Sequence, residues 1–242
     1  MATCREEAGL VNSRGRQEKH VVVRVVILAT LIATLLAGAC GVPAGSEQAV
    51  ASSNTPISER LADLKVRPAG SMEGYSRDLF SHWSDAQEYG WILPAGTPDP
   101  ESCDVRDAAL IRDGRDEVVE QYCDVVSGTW FDPYGGATYT EPADLDGDHV
   151  VPLANAYRSG ASSWGAARRE RFANIPRDVL MVDDGLNQSK GDRGPEAWKP
   201  PRRAYWCTYA RKWVGIKYYW KLSVTRAEKD ALKQMLATCP SR

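Results

Sequence analysis

The stretch Asp144-Leu-Asp-Gly-Asp-His-Val-Val-Pro-Leu153 places one of the chain's three histidines directly after a cluster of carboxylates. His149 begins a β-prone segment that Val150 and Val151 continue, and Pro152 opens a segment with helical character. A carboxylate can hold a divalent cation, and an adjacent neutral histidine can take a proton from water. The stretch therefore predicts a site for metal-assisted hydrolysis centred on His149.

A calcium loop is the competing interpretation of the same residues. The alternation Asp144-x-Asp-x-Asp148 imitates the start of an EF-hand, but His149 occupies the position where the loop needs glycine. Asn155 stands where the bidentate glutamate should be. These two mismatches argue against a calcium loop.

The first forty residues have the pattern of an export signal. Basic residues precede the apolar run Val25–Leu36, and the small residues Ala37-Gly-Ala39 follow it. We predict a signal peptide over residues 1–39, with a lipid anchor at Cys40 and an uncleaved anchor left open. All three alternatives place the protein outside the cytoplasm.

The rest of the chain divides into a linker and one domain. Residues 40–72 are rich in Ala, Ser, Gly and Pro and predict a flexible linker. Residues 73–242 are long enough for one domain with its own core. We predict an α+β domain from the candidate strands and helices, which are Val118–Val126, Thr129–Phe131 and Val179–Val182 as strands, and Tyr75–Trp83, Val105–Arg112, Tyr205–Trp220 and Thr225–Leu236 as helices.

Cysteine usage agrees with an oxidising compartment. Beyond the leader the chain keeps an even set, Cys103, Cys123, Cys207 and Cys239. Four cysteines allow three connectivities, and proximity along the chain favours Cys103–Cys123 and Cys207–Cys239. A zinc site is disfavoured because the chain has no Cys-x-x-Cys.

Two segments carry a resemblance to a known family. Asp146-Gly-Asp-His-Val-Val-Pro152 and Asn187-Gln-Ser-Lys-Gly-Asp192 look like the site of the HNH endonucleases, and more narrowly of secreted proteins related to the C-terminal nuclease domain of GmrSD-type restriction enzymes. Gly147 departs from this pattern, since a β-branched or apolar residue is usual there. Further matching stretches spread the resemblance over nearly the whole mature chain, namely Tyr75-x-Arg-x-x-Phe-x-x-Trp83, Cys103-Asp-x-Arg106, Gly128-Thr-Trp-Phe-Asp-Pro-Tyr134, Leu153-Ala-x-Ala156, Trp198-Lys-Pro-Pro201 and Tyr205-Trp-Cys-x-Tyr209.

The resemblance implies a ββα-metal (HNH) core surrounded by helices and held by disulfides. It makes His149 the general base and Asp148 and Asn187 the ligands of one divalent cation, with Mg²⁺ favoured and Mn²⁺ left open. Asn174 would brace the loop that carries the histidine, and Lys190 would contact phosphate. An unperturbed histidine titrates at about 6.5, so activity should rise from about pH 5 toward about pH 8.

Charge is distributed unevenly behind a formal net charge of −2. The segment from Lys199 to Lys233 is strongly basic and interleaved with aromatic residues, a pattern typical of surfaces that follow phosphate backbones. We predict five nucleic-acid contacts there: Arg202, Arg203, Arg211, Lys212 and Lys217.

The expected function is an extracellular, metal-dependent endonuclease acting on DNA, with RNA left open. The alternative is a catalytically silent surface-attached protein that binds nucleic acid or a wall polymer.

Overall fold

The computed structural model describes residues 55–240, so the predicted signal peptide and Cys40 lie outside the described residues. Within that range the helices are α1 (Ile57–Asp63), α2 (Val105–Asp113), α3 (Leu153–Arg158), α4 (Ala166–Asn174), α5 (Asp184–Lys190), α6 (Trp206–Trp220) and α7 (Arg226–Leu236). The strands are β1 (Gly114–Val119), β2 (Val125–Phe131), β3 (Thr138–Tyr139), β4 (Leu145–His149) and β5 (Val179–Asp183). No helix among residues 55–240 is long and apolar enough to span a bilayer.

Two antiparallel sheets form in chain order. Strands β1, β2 and β3 make one sheet, and β4 pairs with β5 in the other. In the second sheet His149 lies opposite Val179 and Asp148 opposite Leu180. Helix α5 follows β5 without a loop, and the Asp183 carboxylate caps its start by accepting from the Leu186 amide. The result is a ββα unit with helices around it, which confirms the predicted α+β class.

The core consists of two apolar clusters. The larger one joins α3, α4 and the C-terminal helices, with Trp213, Tyr209 and Phe172 fully buried. The smaller one lies between α2 and the three-stranded sheet, around Trp130. Strand β5 supplies side chains to both clusters, whereas β4 supplies Leu145 to the smaller one. Val150 and Val151, directly after β4, pack in the larger cluster, so the segment that carries His149 is held from two sides.

Both disulfides favoured by proximity are present, Cys103–Cys123 and Cys207–Cys239. A capping box between Thr225 and Glu228 forms at the start of α7. The bond Cys103–Cys123 therefore lies in the smaller cluster, and the capping box begins a helix that packs in the larger one.

Three local predictions were wrong. Val118–Val126 is not one strand, because the 3₁₀ turn Gln121–Cys123 separates β1 from β2. Residues 40–72 are not linker throughout, because α1 begins at Ile57, and Leu61 within it and Leu64 just after it are buried in the larger cluster. The helical spacing over Tyr75–Trp83 produces only a 3₁₀ turn at Arg77–Leu79. Its apolar residues are buried by tertiary packing, as with the fully buried Phe80, and not along a helix face.

Candidate active site

His149 ends strand β4 and is 4% exposed. Its Nε2 lies 2.7 Å from the carbonyl oxygen of Ala173, the penultimate residue of α4. A carbonyl only accepts hydrogen bonds, so Nε2 carries the proton and Nδ1 keeps its lone pair in the neutral ring. No hydrogen bond to Nδ1 forms among residues 55–240.

Burial keeps the ring of His149 neutral. It lowers the pKa of His149 to about 3, because the charged form is desolvated and the cations Arg77 and Lys190 add repulsion. The ring is then neutral, with its single proton on Nε2, from mildly acidic to alkaline pH. The expected rise in activity between about pH 5 and about pH 8 therefore does not follow from His149, since its pKa is not near 6.5.

Asp148 is the neighbouring carboxylate and is also buried. Its Oδ2 accepts from the Tyr134 hydroxyl at 2.6 Å and its Oδ1 from Lys190 Nζ at 2.6 Å. Burial raises the pKa of Asp148, and the Lys190 ammonium opposes that shift. The carboxylate is therefore fixed in direction by two donors.

Lys190 was predicted to contact phosphate, but its side chain does not reach the surface. Its side chain is fully buried, and Nζ also donates to the His149 carbonyl at 2.8 Å. Helix α5 turns this residue inward beneath β4, so a direct phosphate contact is contradicted. Lys190 is a positioning residue for Asp148 and the backbone of His149.

One cavity of about 310 Å³ is lined by Asp148, His149 and Asn187 together. The structure thus brings the predicted base and both predicted ligands to one place. Asn187 Nδ2 donates to Asp146 Oδ2 at 3.0 Å, which leaves its Oδ1 as the free end of the amide. Asp146 is a second carboxylate on the same face of β4, since side chains two residues apart on a strand point the same way.

Asn174 braces a different segment from the predicted one. Its amide donates to the Ser81 carbonyl at 2.9 Å, and its Oδ1 accepts from the Ser84 amide at 3.1 Å. The loop after His149 is held instead by Asp178, whose Oδ1 accepts from the Val151 amide at 2.9 Å. Burial raises the pKa of Asp178 to about 8. Nothing in the local sequence distinguished Asp178 from a surface turn residue.

The segment braced by Asn174 supplies Trp83. Its ring stacks on His149 at 5.7 Å between centroids and 27° between planes. A Cβ on Gly147 would stand 2.5 Å from Trp83 Cη2, so a larger residue cannot fit unless the indole moves. The departure at Gly147 therefore matches the indole that packs there.

Arg77 is a further residue that the sequence reasoning missed. It lines the cavity of His149, and its Nε donates to His82 Nε2 at 3.3 Å. A guanidinium at this position can bind a phosphate with two parallel hydrogen bonds. The only signal in the sequence was the motif Tyr75-x-Arg, which carried no chemical role of its own.

The five predicted nucleic-acid contacts do not form one surface. Lys217 is fully buried and paired with Glu228 at 2.6 Å, so it cannot contact nucleic acid. Arg202 lies over Phe131, and Arg203 over Trp206. Neighbours on a helix point about 100° apart, so Arg211 and Lys212 line different cavities.

The cavity's donors suit a hard cation. No cluster of three His, Cys, Asp or Glu side chains able to hold a metal occurs among residues 55–240. Asp148 and Asn187 nevertheless present oxygen atoms to one cavity, and few protein ligands leave the waters that Mg²⁺ retains. Lys190 occupies one Asp148 oxygen, so it shares the carboxylate with any bound ion.

Comparison with known proteins identifies the family of the chain. The model of the family described as GmrSD restriction endonucleases, C-terminal domain, matches residues 104–235. The chain belongs to this family. The match to the GmrSD C-terminal domain family spans β4, β5 and α5, and so includes His149 and both candidate ligands.

A relative from Arthroderma benhamiae named "Uncharacterized secreted protein" is 49% identical over 181 residues, which cover 74% of this chain and 82% of the relative. No solved structure matches the chain.

Proposed function

We propose that the protein is a secreted, metal-dependent endonuclease that hydrolyses phosphodiester bonds of DNA, with His149 as general base. One observation carries the proposal. His149 is held as a neutral ring with Nδ1 unengaged, in the cavity that Asp148 and Asn187 also line. A general base needs a lone pair at reaction pH and space for the water that it deprotonates. Nδ1 supplies the lone pair, and the cavity supplies the space.

The chain's own residues divide the work. Nδ1 of His149 takes a proton from water, while Nε2 keeps its bond to Ala173 and fixes the ring. Trp83 holds the ring plane, and Arg77 is the candidate contact for the phosphate. A divalent cation held by Asp148 and Asn187 would stabilise negative charge on the phosphate oxygens.

The comparisons support this proposal at a coarser level. Membership in a family described by restriction endonucleases supports nuclease activity, and the relative's name supports export. The DNA substrate, the HNH mechanism and the metal go beyond these comparisons, as does the assignment of residues 73–242, together with α1, to one nuclease domain.

The test is plasmid cleavage by the purified secreted protein with Mg²⁺, with Mn²⁺ and with EDTA. His149→Ala should lose about 10²–10⁴-fold in rate, the usual contribution of a general base. It should still bind Mn²⁺ in a direct binding titration, whereas Asp148→Asn and Asn187→Ala should weaken that titration. Thermal unfolding of each variant checks the fold, and cleavage by folded His149→Ala at the wild-type rate would refute the assignment.

One observation favours a binding protein without catalysis as the second candidate. Both oxygens of Asp148 already accept hydrogen bonds, from Tyr134 and Lys190. If these donors prevent a cation from binding Asp148, the protein would bind nucleic acid without cleaving it. Wild-type protein that binds DNA, takes up no Mn²⁺ and leaves plasmid intact would establish that candidate instead.

A further inference from the structure

A second cavity of about 600 Å³ lies outside the site of His149. It is formed by the end of α2, the end of α4 with the turn that follows, and α6. No residue lines both this cavity and the one that contains His149.

The lining of the second cavity is strongly cationic. Four basic residues, Arg112, Arg171, Arg177 and Lys212, surround one acid, Asp113. Asp113 is already used, because it accepts from Arg112 at 2.6 and 2.7 Å and from the Met181 amide at 3.0 Å. Arg171, Arg177 and Lys212 have no ion pair within residues 55–240.

Two of these three cations, Arg171 and Arg177, are exposed, and the third is not. Lys212 is half-buried, and its pKa is lowered by burial and then by repulsion from Arg112. They come from two separate parts of the chain, the end of α4 with the turn after it and α6, which the fold brings together at one cavity. An anion placed among these cations would offset the repulsion between them.

An aromatic ring completes the cavity. Tyr219 is 56% exposed, and the guanidinium of Arg177 lies 5.2 Å from its ring centre. An exposed ring beside several guanidinium and ammonium groups suits a ligand with phosphates and flat bases. A simple carboxylate or inorganic anion would leave the ring unused.

We propose that this cavity is a second binding site for the phosphate groups of a nucleic-acid strand, with Tyr219 as a stacking surface for a base. The proposal rests on the proposed nucleic-acid substrate. The turn between α4 and β5 joins the two sites: the Ala173 carbonyl holds His149, and Ile175, Pro176 and Arg177 line the second cavity. A strand bound at Arg177 therefore lies against the segment that positions the proposed base.

The test measures binding of a short fluorescent single strand by anisotropy, over a range of salt, with EDTA present to prevent cleavage. Arg171→Gln/Lys212→Gln should weaken binding about tenfold at low salt, and the slope of log affinity against log salt should fall by about 0.7 for each lost contact. The matched control is Arg226→Gln/Lys233→Gln, which removes two exposed cations from α7 and should leave the slope unchanged. An unchanged slope in Arg171→Gln/Lys212→Gln overturns the proposal.

Two further arms define the ligand. Tyr219→Ala should weaken binding of a single strand more than binding of a duplex, because paired bases cannot stack on the tyrosine ring. Pyrophosphate is the probe for a small phosphate ligand. If pyrophosphate binding depends on Arg171 and Lys212 while oligonucleotide binding does not, the cavity takes free phosphates and the nucleic-acid proposal fails.

Failure of this site and failure of the endonuclease proposal are distinguishable. A salt slope that falls in Arg171→Gln/Lys212→Gln, in a protein that never cuts DNA with any metal, supports the second site and removes the catalytic proposal. Cleavage by the wild type together with an unchanged slope does the reverse.

Discussion

Replacing Lys190 by methionine tests the electrostatics of the site most directly. The change removes the buried ammonium 2.6 Å from Asp148 and retains most of the side-chain volume. Asp148 would remain buried with only the Tyr134 hydroxyl, and removing one partner of a buried pair costs about 3–5 kcal/mol. We therefore expect the free energy of unfolding in urea to fall by about that amount.

Two control variants separate the possible causes. Lys217→Met also breaks a buried pair, with Glu228, and should cost a similar amount. Lys233→Met breaks an exposed pair at 3.6 Å and should cost no more than about 1 kcal/mol. Adding Mg²⁺ should restore stability to Lys190→Met and not to Lys217→Met, since only the former frees an oxygen in the cavity that His149 lines. A loss below about 1 kcal/mol in Lys190→Met would refute the reasoning, because the structure would then not depend on a paired Asp148.

Three other changes have definite expected outcomes. Gly147→Ala should displace Trp83 from His149 and lower the cleavage rate with little change in Mn²⁺ affinity, since its Cβ would stand 2.5 Å from the indole; cleavage and titration check this, and an unchanged rate would contradict it. Asp178 has a pKa of about 8 in the folded protein against an ordinary 3.8, so the folded state keeps a proton that the unfolded state releases between these values, and stability falls as pH rises through that window. Asp178→Asn cannot lose that proton, so it should gain stability relative to the wild type by up to about 5 kcal/mol from pH 4 to pH 8 in urea titrations, and a constant difference would show that Asp178 is charged. Cys207→Ser should lower stability by about 2–5 kcal/mol in calorimetry, and an unchanged melting temperature would mean that the bond to Cys239 does not constrain the chain.

The ββα unit could be predicted because its signals are local. The β-prone residues at His149, the apolar run at Val179–Val182 and the acidic helix entry at Asp183 each report on their own neighbours. The resemblance then placed Asp148, His149 and Asn187 together, and they do line one cavity. Likewise, each disulfide joins two cysteines with no other cysteine between them along the chain.

The wrong predictions for Lys190 and Lys217 depended on the direction in which each side chain points. Lys190 and Lys217 read as surface cations, yet each faces inward to a buried carboxylate. Such pairings depend on the rotation of a helix against a partner distant in sequence, which composition does not encode. The brace made by Asp178 has the same origin, because its acceptor role exists only once β5 lies beside the loop after β4.

The two buried lysine pairs differ in a way that bears on function. Lys217 and Glu228 are surrounded by partners: Ser159, Ser223 and Trp213 complete their hydrogen bonds, and the adjoining cavity of about 60 Å³ has little room for a ligand. That pair can be explained by packing alone. Asp148, which is paired with Lys190, instead borders a cavity of about 310 Å³ together with a neutral buried histidine. Apolar residues often replace a buried ion pair without loss of stability, so stability does not account for charges kept beside an open cavity. Groups of this kind, desolvated and gathered in a cleft, are characteristic of sites where protons or charged ligands are handled. The contrast therefore supports catalysis at His149 and a structural role for Lys217.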